Sequence, residues 1–383
     1  MPVMLPRVTD NSAGLPWAVD ARGVRAASVP PDGGETCFRV AAVTEQQLAG
    51  VATGVGSMPG TDPAEATKTV LGELPDLPHV PELPARGAGA DMIGRGAAFL
   101  VDMPVDLQPS GWRLVDRPGR DLRRSLDFLA RDLDTLEDLA QDYAGPLKLQ
   151  VAGPWTLAAT VELHYGDKAV SDPGATRDLT QSLAEGVRRH VADMAARLPD
   201  AEIVLQLDEP SLPAVLVGEV PTASGFGTLR TVEEQVVRDV LAEVLGAAAG
   251  AGAVQTVVHC CARNPPITLI REAGAGAVSF DMTLLSAVED EALGTAVEAG
   301  VRLWLGGVPA GSADDPAALG DLGDTVRSVR GLWSRLGFAP ELLPGAVVLT
   351  PACGLARTSP AYARAALRRV REAARAIVDD PEP

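Results

Sequence analysis

Positive charge is in short supply in this chain. Its 33 Lys and Arg stand against 51 Asp and Glu, a net charge of −18. Nucleic acid is bound by clustered Lys and Arg that neutralise phosphates. No such cluster is present, so no nucleic-acid partner is expected. Long apolar runs are missing too, since none approaches the roughly 18–20 residues that span a bilayer; no membrane partner is expected. Residues 1–7 contain no apolar h-region, which predicts no secretory signal. Aromatic residues are scarce at 4%. Cysteine is limited to Cys37, Cys260, Cys261 and Cys353. Two of the four are adjacent, a poor basis for a disulfide framework. Few cysteines in a long chain fit a reducing cytoplasm, where clustered Cys and His point to metal binding or catalysis. No G-x-S-x-G elbow and no convincing Ser/His/Asp order suggest a hydrolase. Gly54-Val55-Gly56 runs into Ser57-Met58-Pro59, which fits neither a dinucleotide fingerprint nor a phosphate loop.

What is present is a globular composition, 46% hydrophobic and 22% charged, in 383 residues. Residues 1–48 contain the breaker cluster Pro30-Pro31-Asp32-Gly33-Gly34 and no sustained periodicity, so they read as a loosely ordered extension. Residues 49–383 alternate strand and helix patterns. Apolar, β-rich runs predict strands over 50–56, 78–81, 146–151, 203–207, 254–258, 277–280, 301–305 and 346–349. Helical spacing predicts helices over 63–74, 119–143, 175–198, 231–249, 266–273, 288–299, 316–336 and 360–378. About eight strand–helix units predict an α/β chain, a (β/α)8 TIM barrel in one domain. A doubly wound open sheet is the alternative. The polar motifs favour the barrel: Ser57, Asp208, His259, Asp281, Gly307 and Cys353 each follow a strand immediately. In a barrel such positions converge on one face.

The chemistry gathers at Val257-Val258-His259-Cys260-Cys261. His259 and Cys261, two apart at an extended strand end, point to one side, and Cys260 points to the other. Cys353 ends a later strand in Pro351-Ala352-Cys353-Gly354-Leu355. Zinc prefers such N and S donors, and a catalytic zinc keeps one position open. Ordinary burial is the competing reading, since free Cys is among the most buried residue types. Asp208-Glu209-Pro210 offers carboxylates at a strand end, to hold a substrate amine, to act as a general acid, or simply to cap a helix begun by Pro. Gly56-Ser57-Met58-Pro59 offers the Ser57 hydroxyl and backbone N–H groups to a carboxylate, or forms a plain turn. Trp155, in Gly153-Pro154-Trp155-Thr156, serves either as a stacking surface for substrate or as a core aromatic. His79, His164 and His190 are isolated and receive no role.

Taken together, Gly56-Ser57-Met58-Pro59, Pro81-Glu82-Leu83-Pro84, Asp208-Glu209-Pro210, His259-x-Cys261 and Pro351-x-Cys353-Gly354-Leu355 resemble the catalytic domain of cobalamin-independent methionine synthase. The wider relatives are the uroporphyrinogen-decarboxylase-like barrels. The resemblance spans about residues 50 to 375. It implies a zinc-dependent methyltransferase that methylates a thiol, homocysteine in the best-known case. It implies His259, Cys261 and Cys353 as zinc ligands, with Asp281 standing where the family has a glutamate ligand. Ser57 then holds the amino acid's carboxylate, and Asp208 and Glu82 its amine. The two-domain synthases carry a second, N-terminal barrel that helps bind methyltetrahydrofolate, and some 50 residues cannot form one. A methylcorrinoid protein therefore fits as donor at least as well as methyltetrahydrofolate. Two other classes compete: a metal-free decarboxylase or lyase on the same barrel, and a non-catalytic binding barrel.

Overall fold

The computed structural model describes residues 49–311 and 314–380. The 1–48 extension, with Cys37, lies outside the described residues. A parallel sheet of six strands dominates: β3 (Pro146–Ala152), β4 (Glu202–Asp208), β5 (Gln255–Cys260), β6 (Ala277–Asp281), β7 (Arg302–Val308) and β8 (Val347–Pro351) pair in chain order. Ahead of them, β1 (Val105–Gln108) and β2 (Gly111–Leu114) form an antiparallel hairpin. The architecture is α/β, with a half-barrel of parallel strands of the TIM-barrel kind. The two earliest expected strands are extended segments that touch this sheet at single parallel bridges. Ala52 bridges Leu349, His79 bridges Lys148, and Ser57 bridges Glu82.

Side-chain alternation along the strands builds two separate cores. Leu147, Leu149, Val151, Ile203, Leu205, Leu207, Val258, Val278, Phe280, Leu303, Leu305 and Leu349 face the helices and belong to the main core. The opposite face carries a smaller apolar cluster of Val204, Val257, Ala277, Trp304 and Val348, joined by Val51 and Leu77. Further along the same faces the residues turn polar: Lys148, Gln150, Gln206, Asp208, His259, Ser279 and Thr350 are all buried. The inner face is therefore apolar towards the strand starts and polar towards their C-terminal ends, where the site lies.

Helices Arg120–Leu139, Pro173–Arg197, Glu234–Gly250, Leu322–Leu336 and Pro360–Asp379 bury an apolar stripe and leave charged faces outside. Their starts are chemically specified. Asp62 accepts from the N–H groups of Ala64 and Glu65 to cap helix Pro63–Glu73, and Asp172 caps Pro173–Arg197 in the same way. The expected helix over 316–336 is divided: a 3-10 turn, Pro316–Leu319, ends at Gly320 (φ 67°) before the α-helix Leu322–Leu336 begins. Among the described residues, no helix is long and apolar enough to cross a membrane.

Candidate metal and substrate site

β5 ends in the site. His259 is flanked in the ladder by Asp208 of β4 and Ser279 of β6. Its Nδ1 lies 2.9 Å from the Ser279 hydroxyl. Its Nε2 is buried with no hydrogen-bond partner, a costly state for a polar atom unless a ligand meets it. Cys261 follows on the same side. Cys353, 92 residues further along, brings its sulfur to 3.3 Å from that of Cys261. A His259 ring nitrogen and the two sulfurs all lie within 4.8 Å of one another. The contact between the thiols pushes Cys353 down towards the thiolate and Cys261 up. Cys260 faces away, wholly buried, and its thiol is pushed up to about 12 by burial. An orphaned imidazole nitrogen, two adjoining sulfurs and a hydroxyl fixing the far side of the ring fit a metal ion bound through N and S.

Three substrate-binding candidates gather at the same edge. Ser57 lies against Gly354, the residue after Cys353: a Cβ on Gly354 would overlap the Ser57 hydroxyl. The Ser57 carbonyl accepts the N–H of Leu355 at 2.8 Å. Glu82, bridged to Ser57 through the backbone, is buried and sits 3.6 Å from Arg95. Asp208 accepts a 2.7 Å hydrogen bond from Gln206. Burial raises the Asp208 carboxyl well above the usual carboxylate range.

Two further candidates have partners elsewhere. Trp155 presents no stacking surface: it is fully buried, and its indole N–H donates to the Val237 carbonyl at 3.0 Å. It is a core aromatic because helix Pro154–Thr160 starts there and turns it inwards. Asp281 is absent from the His259–Cys261–Cys353 group. Its Oδ1 instead accepts from the Thr283 N–H at 2.8 Å and the Thr283 hydroxyl at 2.7 Å. It caps the 3-10 turn Met282–Leu284, a local use that a short carboxylate favours. Glu209 likewise serves the fold. It accepts from the backbone of Trp155 at 2.9 Å and of Thr156 at 2.7 Å, and its carboxyl is pushed up to about 7 by burial.

Several site residues escaped the motif reading. Lys148 and Gln150 of β3, Gln206 of β4 and Ser279 of β6 line the inner face. Outside the sheet, a buried ion chain reaches Glu82: Asp132 holds Arg86 at 2.7 Å and Arg95 at 2.5 Å, and Arg95 lies 3.6 Å from Glu82. A signal for the first group was available. Leu147-Lys148-Leu149-Gln150-Val151 and Leu205-Gln206-Leu207-Asp208 alternate strictly, which marks a polar face on buried strands.

Fold and site together define a class: an α/β enzyme with a histidine and two cysteines placed for a metal at the C-terminal edge of a parallel sheet. Residues 51–376 match the family model described as the cobalamin-independent synthase catalytic domain. The chain belongs to that family and is a methyltransferase of the methionine-synthase kind. No curated protein matches the chain. Among solved structures it is similar to a B12-independent methionine synthase from Shewanella sp. W3-18-1 in complex with selenomethionine. That likeness has a TM-score of 0.54 at 10% identity and covers 87% of this chain and 98% of that one. A GH5_18 structure from Streptomyces cattleya in complex with GlcNAc reaches only 0.40 at 16% identity, over 87% of this chain and 82% of that one. The first likeness is one of fold.

Proposed function

We propose that this chain transfers a methyl group to the sulfur of homocysteine, giving methionine, with zinc held by His259, Cys261 and Cys353. One observation carries the reading: a buried, unpartnered imidazole nitrogen beside two converging thiols, in a chain of this family. Zinc, when bound, keeps a substrate thiol ionised at neutral pH and fixes its position. Everything else falls to the chain. Ser279 holds the His259 ring, so that Nε2 faces the thiols. The Ser57 hydroxyl and its neighbouring backbone receive the amino acid's carboxylate. Asp208 and Glu82, both buried, receive its ammonium group, which offsets the cost of burying two carboxylates. Held at both ends, the substrate presents its sulfur to the donor in one orientation. The sulfur's electron pair forms the new S–C bond as the bond from the methyl group to its carrier breaks. The carrier keeps the pair of the broken bond, and the thiol proton would pass to solvent water as the substrate binds.

In this reading the extended segments at 51–57 and 79–82 are the first and second strands of a closed (β/α)8 barrel. Their bridges to β8, to β3 and to each other support it. Residues 49–383 are then one catalytic domain preceded by the 1–48 extension, working in the reducing cytoplasm that keeps its cysteines as thiols. The donor is methyltetrahydrofolate or a methylcorrinoid protein. Metal analysis of protein purified without chelators tests the proposal. About one zinc per chain is expected, with loss in Cys261→Ser and in Cys353→Ser. Protein with no zinc, or zinc protein that methylates homocysteine from neither donor, would sink it.

A further inference from the structure

At the centre of the inner face sits Lys148, a fully buried lysine. Burying an ammonium is costly unless its protons are all accepted. Here three neutral groups accept from it. The Nζ group donates to the Val55 carbonyl at 2.6 Å, to Gln206 Oε1 at 2.9 Å and to Gln150 Oε1 at 3.4 Å. Each acceptor leads onward to a different substrate-binding residue. Gln206 Nε2 donates to Asp208 at 2.7 Å and to the same Val55 carbonyl at 2.9 Å. Val55 stands two residues before Ser57. Gln150 Nε2 donates to the Val80 carbonyl at 2.5 Å, two residues before Glu82.

This matters because the two segments that carry Ser57 and Glu82 have little sheet of their own. Each meets its neighbours through isolated bridges, while the six strands pair through continuous ladders. The ladder is complete where Asp208 sits and sparse where Ser57 and Glu82 sit. Side-chain bonds from the interior make up the difference. An amide has one acceptor end and one donor end. The Lys148 ammonium, as donor, fixes the Oε1 ends of Gln206 and Gln150 towards itself, which turns both NH₂ groups outwards to Asp208 and Val80.

We propose that Lys148 is a positioning residue: a single buried ammonium that, through Gln206 and Gln150, sets the three substrate-holding residues Ser57, Glu82 and Asp208 in mutual register. The reaching of substrate rests on the function proposed above; the setting of the segments does not.

Two measurements separate those parts. The first needs no ligand: hydrogen exchange of the metal-loaded protein, wild type against Lys148→Met. Amides of Met58, Val80 and Glu82, bonded across the sparse region, are expected to exchange at least about tenfold faster in the variant, the consequence of orphaned buried acceptors. Amides of β4 to β7 are expected to stay unchanged. Equal protection of the three amides in both proteins overturns the proposal, and so does a uniform loss across the sheet. The second is binding. Lys148→Met is expected to weaken L-homocysteine by at least about tenfold and to leave propanethiol, which has neither amine nor carboxylate, and the metal content unchanged. Gln206→Met guards against a variant that fails to fold. The same selective loss is expected there, and the double variant is expected to lose no more than the worse single, because both act on one path. Additive losses overturn the relay through Gln206. A wild type that binds propanethiol as well as homocysteine sinks the substrate reading and leaves the exchange result to decide the role of Lys148.

Discussion

The hydroxyl of Ser279 decides which nitrogen of His259 is left for a metal. With Nδ1 held at 2.9 Å, only Nε2 is free. A second contact of this kind tunes affinity without being a ligand. Ser279→Ala is therefore expected to weaken zinc binding by about 10–100-fold and keep the stoichiometry, as read by competition with a chromogenic chelator. Asp281→Asn is expected to leave zinc content unchanged, because that carboxylate is spent on Thr283. Loss of zinc there would restore it as a ligand. A different residue contributes to the response to acid. His190 is buried against Phe99, with ring centroids 4.6 Å apart. Burial first, then the charges of Arg95 and Arg197, lowers its pKa to about 3. Unfolded, the ring titrates near 6.5. Between those values the unfolded chain binds the extra proton, so stability falls as pH drops from about 6.5 towards 3. The slope from this one group is at most about 1.4 kcal/mol per pH unit. Urea midpoints measured from pH 7 to 4.5 are expected to fall less steeply in His190→Phe than in the wild type.

Elements are joined at a few close approaches that admit no side chain. Gly186 lies in the middle of helix Pro173–Arg197, and a Cβ there would overlap the Phe99 carbonyl. Alanine is the better helix former by about 1 kcal/mol. The overlap is with backbone, which cannot swing aside, so Gly186→Ala is expected to destabilise by about 1–3 kcal/mol in urea unfolding. A stabilised variant would mean that the helix can shift. At this scale the sequence was highly legible. All six strands of the sheet fall within a residue or a few of the runs that announce them, because buried strands read as apolar segments, near-continuous in β8 and alternating with polar residues in β3 and β4. The hairpin β1–β2, the helix Met92–Ala98 and the helix Leu212–Val217 were not legible. Each is too short for periodicity to separate it from loop. The segments 50–56 and 78–81 were read as strands, and the structure gives this region only isolated bridges, such as Ala52 to Leu349 and His79 to Lys148; those partners come from far along the chain.

At the scale of the molecule, the candidate metal site links β5 to the segment after β8, and Ser57 lies against it at Gly354. A ligand bound only by the folded state raises its stability, by about 2.7 kcal/mol at a hundredfold excess over Kd. Chelation is accordingly expected to lower the thermal midpoint of the wild type and not that of Cys353→Ser. Equal shifts in both would show that the effect is not at this site.

The sequence by itself determined which face each side chain takes, and hence that His259 and Cys261 share a side that Cys260 leaves. It also determined the strand ends on which the chemistry sits. Both follow from local rules, the period of two along a strand and the chemistry of caps and breaks. Only the tertiary structure decided who meets whom. It set Cys353 against Cys261 across 92 residues, turned Asp281 to Thr283 and Trp155 into the core, and placed Lys148 where its bonds lead to Asp208 and to the segments that carry Ser57 and Glu82. Periodicity fixes direction, whereas contact depends on which strands lie side by side and how far each side chain reaches once they do.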